Sequence, residues 1–394
     1  MVKVTPKHKH SLLRGTLFLL SPFFTVISFF LKKNNAVVLT SSLNKEFSDN
    51  TRALFEALYA KPEFRNRVYF VLNDAEKAAL LNQQYPGRFL NNTSLKNILF
   101  ILRANYWFSS ALEMPAPALF QRFRRTVIHL GHGMLYKRIG LREQSVSWYK
   151  RIYYFFITSN FSYTIATAEF FLDEISQGFG VPKERILLLP QPKTALLATP
   201  APINNSLFND TTATHVLHAP TWRPYADVQL MPFADQDLVA LGEFLEQQNI
   251  HIWIRVHPRN EQHIDAALLA TNNIHLFSGR DYSEVNSYLA HFAALITDYS
   301  SIYFDFLTLQ RPVLFLDYDL DLYVRKVGVV DRYQELKSEV STLSQAQLIE
   351  QLAAIKQGDV DLTKIKQANA LVNFNIPNEK IIDYVVETLF GIKK

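Results

Sequence analysis

Short apolar runs bounded by turn residues recur along the chain at Ala36–Ser42, Arg67–Asn73, Tyr106–Leu112, Thr126–Gly131, Tyr154–Ser159 and Arg185–Leu189. Their length and flanking turn residues read as buried parallel strands, which show continuous apolar stretches because both faces are covered. Helical stretches such as Asn50–Tyr59 and Ser94–Ala104 lie between them. This alternation predicts a doubly wound α/β domain. A polar segment, Pro200–Thr214, then precedes a second series of strands at His215–Ala219, His251–Val256, Ile274–Phe277, Ala293–Thr297 and Pro312–Asp317. Helical patterns at Asp237–Gln248 and Ser283–His291 separate them, predicting a second doubly wound sheet. The last helical pattern, around Glu379–Phe390, is expected to cross back onto the first domain.

A chain of 394 residues suits two domains of roughly 150 residues with extensions. The expected division is 1–35, 36–199 and 200–394. Residues 1–14 carry Lys3, Lys7, Lys9 and Arg14 without an acid, and Thr16–Leu31 is apolar apart from hydroxyls and Pro22. The apolar run falls short of the roughly 20 residues a spanning helix needs, and Phe29-Phe-Leu-Lys-Lys offers no small-residue cleavage site. A segment lying on an anionic membrane surface fits best, with Phe18, Phe23, Phe24, Phe29 and Phe30 at the acyl boundary and Lys32 and Lys33 at the headgroups. A buried N-terminal helix and a spanning anchor are the alternatives. The absence of cysteine excludes disulfides, thiolate metal sites and Cys nucleophiles. Net charge is only +5, but Arg122, Arg124 and Arg125, with Lys137 and Arg138 nearby, suggest an anionic acceptor on the first domain; a solvated basic face is the alternative.

The chemistry concentrates at expected strand ends. Ala293-Ala-Leu-Ile-Thr-Asp298-Tyr-Ser300-Ser301-Ile-Tyr-Phe-Asp305-Phe is an apolar strand that stops at two hydroxyls where a helix begins. Unpaired N–H groups at a helix start, together with Ser300 and Ser301, suit a diphosphate; ordinary capping is the bland reading. His129-Leu-Gly-His132-Gly133 presents an imidazole after another strand, a candidate general base. No third ligand follows at metal-site spacing, so no metal centre is expected there. Arg255-Val-His257-Pro258 puts two cations on one side of a strand, suited to phosphate charge. His218-Ala-Pro-Thr221-Trp222-Arg223 adds a guanidinium, and Asp317-Tyr-Asp319-Leu-Asp321 an acidic alternation. Hydroxyl or ribose hydrogen bonding by Asp319 is favoured over Mg²⁺, although the spacing does not separate the two.

In their order along the chain, these motifs resemble those of the CDP-glycerol glycerophosphotransferase family of teichoic acid and capsule synthesis. Gly131-His132-Gly133-Met134, Ala219–Arg223, Arg255–Pro258, Thr297–Ser301 and Tyr318–Leu320 carry the resemblance, and Phe47-Ser48-Asp49-Asn50 is similar to an early family motif. The chain departs from the family pattern at Gly131, where an aromatic residue is usual, and at Met134-Leu135. A Gly-X-Pro-Arg-X-Asp element of the family stands here as Pro190-Gln-Pro192-Lys193-Thr-Ala195. The resemblance implies a GT-B-like fold, in which two Rossmann-type domains face a cleft, and no covalent cofactor. It implies transfer of polyol phosphate from CDP-glycerol or CDP-ribitol to a lipid-linked or polymeric anionic acceptor at the cytoplasmic face of a membrane. No nucleic acid partner is expected. His132 would be the base, with His257 and Arg255 steadying phosphate. Ser300 and Ser301 would donate to it, Asp298 would orient their loop or a polyol hydroxyl, and Arg223 would hold phosphate or nucleotide. A nucleotide-sugar glycosyltransferase and a non-catalytic polyanion-binding protein are the other readings.

Overall fold

The computed structural model describes residues 20–257, 260–337 and 341–391. The Lys-rich stretch before residue 20 and Pro258 lie outside the described residues. The first sheet contains β1 (Asn34–Thr40), β2 (Val68–Val71), β3 (Phe89–Leu90), β4 (Ala104–Ser109), β5 (Thr126–His129), β6 (Tyr163–Ala166) and β7 (Ile186–Leu188) in the order 3-2-1-4-5-6-7. The second contains β8 (Thr214–His218), β9 (Ile250–Ile254), β10 (Ile274–Leu276), β11 (Ala294–Thr297) and β12 (Val313–Phe315) in the order 10-9-8-11-12. Every pairing between these strands is parallel. Central strands are covered on both sides: all five residues of β9 are buried, as are the last five of β1. That burial explains their unbroken apolar sequences.

Each sheet reverses its strand order once, between β1 and β4 and between β8 and β11. Such a reversal leaves a crevice beyond the carboxyl ends of the two strands. Helix α2 (Asp49–Ala60) starts close after β1, with Leu54, Phe55 and Leu58 in the first core.

Two segments correct the reading of the sequence. Tyr154–Ser159, expected as a strand, belongs mainly to helix α3 (Trp148–Thr158), and the strand in that part of the sheet is β6 just beyond. The misreading has a physical cause: Trp148, Tyr149, Ile152 and Phe155 are exposed yet apolar, so the polar positions that reveal a helical period are missing. Ser283–His291, expected as a helix, forms two separate 3₁₀ turns, Val285–Ser287 and Leu289–His291.

Residues 20–30 form helix α1. Ser21, Phe24 and Ser28 face inward, whereas Leu20, Phe23, Val26, Phe29 and Phe30 are exposed. Among the described residues, no helix is long and apolar enough to cross a membrane.

The two sheets share apolar packing. Helix α4 (Ile302–Leu307) follows β11 and is buried along its whole length; its Phe304 meets Phe171 and Tyr136 of the first sheet's side at ring-centroid distances of 5.4 and 5.7 Å. At the far end of the chain, α5 (Asn378–Gly391) returns to the first sheet, as analogy with two-domain α/β folds suggested. Phe390 packs on Phe64, Tyr106 and Phe108, and Lys61 pairs with Asp383 at 2.8 Å. The connection between the sheets passes through a 3₁₀ helix, Pro192–Leu197, whose Leu197 joins the shared core.

Candidate functional site

A cleft of about 370 Å³ lies beyond the carboxyl ends of strands from both sheets. Ser48 and Asp49 reach it after β1, His132 after β5, and Lys193 from the connection. The second sheet supplies Ala219 and Pro220 after β8, Arg255 and His257 after β9, Glu284 and Asn286 after β10, and Ser300, Ser301 and Asp305 after β11. The cleft therefore adjoins both strand-order reversals, where backbone splaying leaves room for a ligand. Five sequence-predicted residues meet here: His132, His257, Arg255, Ser300 and Ser301.

His132 is exposed on a tightly held loop. Asn50 Nδ2 donates to the carbonyl oxygens of Leu130 and Gly131 at 3.0 and 2.9 Å, fixing the end of β5. Lys193 Nζ donates to the His132 carbonyl at 3.1 Å. The His132 ring places Nδ1 3.4 Å from the Ser110 carbonyl oxygen, a partner only the Nδ1–H tautomer can use. That tautomer leaves Nε2 with the lone pair a general base needs. Gly133 is required by close approach, because a Cβ there would lie 2.7 Å from Ser301 Oγ. The imidazole loop of one sheet thus touches the hydroxyl loop of the other. Gly131 sits at φ +62, a conformation glycine adopts without strain.

Ser301 occupies the capping position of α4 but makes no side-chain capping bond. With only six residues, α4 adds little macrodipole, so any anion at this corner would depend on the hydroxyls and nearby cations. Arg255 is steered by the carbonyl oxygens of Tyr282, at 2.8 Å, and Ser283, at 3.3 Å. Burial lowers its pKa, with Glu284 acting in the opposite direction. Lys193 and Asp305 form a 2.8 Å ion pair with both side chains buried; burial works against the ammonium, but Asp305 raises its pKa above the ordinary lysine value. Burial, then the nearby Asp49 carboxylate, pushes Glu284 upward, although its Oε2 accepts from the Asp49 backbone N–H at 2.9 Å.

A model of the CDP-glycerol:poly(glycerophosphate) glycerophosphotransferase family matches residues 22–391. The chain belongs to this family. It is 26% identical over 343 residues to a teichoic acid glycerol-phosphate primase of Bacillus subtilis, covering 79% of this chain and 82% of the primase. It is also 26% identical over 327 residues to a teichoic acid poly(glycerol phosphate) polymerase of the same species, covering 75% of this chain but only 40% of the polymerase. A solved structure of the wall teichoic acid polymerase TagF, soaked with CDPG, superposes with a TM-score of 0.72 at 19% identity and 97% coverage of each chain, a likeness of fold.

Within this member of the family, the remaining predicted residues lie away from the cleft lining. Arg125 is fully buried, stacked on Trp107 and donating to the carbonyls of Ile101, Leu102 and Ala104. Arg124 donates to the Ser28 and Leu31 carbonyls of the α1 segment at 3.0 and 2.8 Å, and Arg122 stacks on Phe123. All three precede β5, at the opposite end of the strand from His132, so the acceptor patch expected from their charge does not form at the cleft. Lys137 belongs to an antiparallel bridge with Val329; burial lowers its pKa, with Asp298 opposing. Arg223 is buried between Asp298 and Asp319, and the Asp319 contact is 2.8 Å. Burial alone would lower its pKa, but the two carboxylates raise it. Asp298 also accepts from the backbone N–H groups of Thr221 and Tyr299, and Asp319 from the hydroxyls of Tyr225 and Tyr299. The structure thus makes these three residues a buried brace behind the loops after β8 and β11. Asp317 is likewise taken up, by Lys337 at 2.7 Å.

Four charged cleft residues were not among the site residues read from the sequence: Asp49, Lys193, Glu284 and Asp305. Three had a visible signal, since Asp49 and Lys193 lie in family-like elements and Asp305 follows the Ser pair. Glu284 had none: it stands at the start of Ser283–His291, which reads as a helix but forms 3₁₀ turns that turn its side chain into the cleft.

Proposed function

We propose that this protein transfers glycerol phosphate, or a related polyol phosphate, from its CDP-activated form to a hydroxyl of a teichoic acid-like or capsular acceptor. The convergence of His132, His257, Arg255, Ser300 and Ser301 on one cleft carries the reading. His132 Nε2 takes the proton of the attacking hydroxyl. The oxygen bonds to the β-phosphorus, the bond to the bridging oxygen breaks, and CMP leaves. His257, Arg255 and the two serine hydroxyls offset the charge gathering on the phosphates, the main demand of phosphoryl transfer. We read the two sheets as a GT-B-like pair, with the second sheet holding the nucleotide and the first the acceptor.

The acceptor reading extends to a membrane. Leu20, Phe23, Val26 and Phe30 are exposed on α1, as are Trp148, Tyr149, Ile152 and Phe155 on α3; because both helices pack on the segment around residues 116–121, we take the two faces together as one patch. Such a patch, flanked by Lys32, Lys33 and Arg151, suits peripheral attachment to an anionic cytoplasmic leaflet bearing a lipid-linked acceptor. The deciding assay incubates the protein with CDP-glycerol, CDP-ribitol and common nucleotide sugars together with a teichoic acid primer, and identifies the released nucleotide. CMP is expected from a CDP-polyol. Release of a nucleoside diphosphate from a sugar donor would instead make it a glycosyltransferase.

A further inference from the structure

The candidate base and the candidate phosphate site lie on different sheets, and a chain of buried polar contacts joins them. Asp305 lies one helical turn beyond Ser301, on α4. Its Oδ2 accepts from Lys193 Nζ at 2.8 Å, and the same ammonium donates to the His132 carbonyl at 3.1 Å. The Lys193 backbone N–H donates to Asn50 Oδ1 at 3.1 Å, while the amide nitrogen of Asn50 holds the carbonyls of Leu130 and Gly131. Gln191 Nε2 adds a contact to Asp305 Oδ1 at 3.4 Å. Both charges of the ion pair are almost excluded from water, at 6% and 2% side-chain exposure. A buried pair of this kind is a weak source of net stability but is geometrically demanding, because either charge left alone is costly. Its use is therefore sought in position. The His132 and Ser301 loops also touch directly at Gly133, leaving little slack between them.

We propose that Lys193 and Asp305 form a positioning strut that sets His132 against the phosphate held at Ser300 and Ser301, so that alignment of the base depends on the seating of the second sheet. The inference rests on the assignment of His132 as the base. A lysine tied to a carboxylate and a carbonyl acts through the backbone it holds and not by touching the transferred group. Its loss misaligns the base while leaving the donor's own contacts in place, and misplacement of about 1 Å is enough to cost a hundredfold in rate.

The test compares the parent with Lys193→Met, Lys193→Arg, His132→Ala and the double variant Lys193→Met/His132→Ala in CMP release, and measures the CDP-glycerol dissociation constant of each. Lys193→Met is expected to lower kcat at least tenfold with donor affinity held within about threefold, and Lys193→Arg to restore most of the rate, since a guanidinium can span the same two acceptors. In the double variant the Lys193 effect is expected to vanish, because residues acting as a unit are not additive. If Lys193→Met does not fold, Lys193→Gln/Asp305→Asn removes both buried charges together and takes its place in the same cycle. Effects that multiply in the double variant would overturn the proposal, and so would a donor affinity lost in step with kcat, which would make Lys193 a phosphate contact. A parent protein that releases no CMP from any CDP-polyol would defeat the functional reading itself, a result distinct from either.

Discussion

His132 and His257 reach the cleft from different sheets, and that difference separates their expected roles. His132 follows β5 and is fixed through its own carbonyl, its ring nitrogen and its neighbours' carbonyls, whereas His257 follows β9 beside Arg255. His132→Ala is therefore expected to lower kcat by about 10²–10⁴, the usual worth of a general base, with donor affinity nearly unchanged. His257→Ala is expected to raise the CDP-glycerol dissociation constant as well as slow transfer. Equilibrium binding combined with single-turnover CMP release distinguishes the two, and parent-like turnover in both folded variants would remove both from the mechanism. Arg223 belongs to another category. Its removal leaves buried Asp298 and partly buried Asp319 without their cation, a defect worth about 3–5 kcal/mol, so Arg223→Met is expected to unfold at a markedly lower temperature than the parent. Parent-like thermal stability with lost donor binding would return Arg223 to direct phosphate contact. At this scale the sequence identified the chemistry of a side chain better than its direction. Arg125 and Arg255 are both arginines beside strands, but one precedes its strand and satisfies carbonyls while the other follows and lines the cleft.

Elements were legible wherever burial on both faces left continuous apolar runs, as in β1, β5, β8, β9 and β11. Legibility failed for α3, whose outward face is apolar, and for β3, which has only two residues. The second sheet holds a further property at the end away from the cleft. His215 and His251, in register on β8 and β9, stack with His275 of β10 around Trp253, and His251 Nδ1 lies 2.9 Å from His275 Nε2. Burial, then the neighbouring His251, lowers His215 and His275 to about 4, and burial also lowers His251. The sheet thus favours neutral rings. Between pH 6.5 and about 4 the unfolded chain binds more protons than the folded one at these sites, so stability is fully present above about pH 6.5 and falls with acidification. The thermal midpoint is expected to decline from pH 6.5 to pH 5, before most carboxylates titrate. His275→Gln, which retains a partner for His251, is expected to flatten that slope; an unchanged slope would assign the decline to other groups.

At the scale of the whole molecule, two doubly wound sheets were readable from the alternation of runs, but their seam was not. Contacts such as Phe304 with Tyr136, or Asp305 with Lys193, join residues more than a hundred positions apart and leave no periodic trace. The same limit applies to the proposed membrane-facing surface. The sequence pointed to residues before 34, whereas the proposal also draws on α3, a distant segment that packs with α1 on the stretch around residues 116–121. That arrangement changes the experiment. Deleting residues 1–33 would strip Phe24 and Ser28 from the core and leave Gln121 and Arg124 without their α1 partners, so lost attachment would be confounded with lost structure. Polar substitution of exposed residues avoids this, because Phe23, Phe30, Trp148 and Phe155 contribute little to the core. The variant Phe23→Ser/Phe30→Ser/Trp148→Ser/Phe155→Ser is expected to lose most of its binding to vesicles containing anionic lipid while retaining transfer to a soluble acceptor. Raising salt is expected to release the parent only in part, since screening weakens the Lys and Arg contribution and leaves apolar insertion in place. Vesicle binding that survives all four substitutions would move attachment to the segment before residue 20, and binding abolished by salt alone would make it electrostatic rather than inserted.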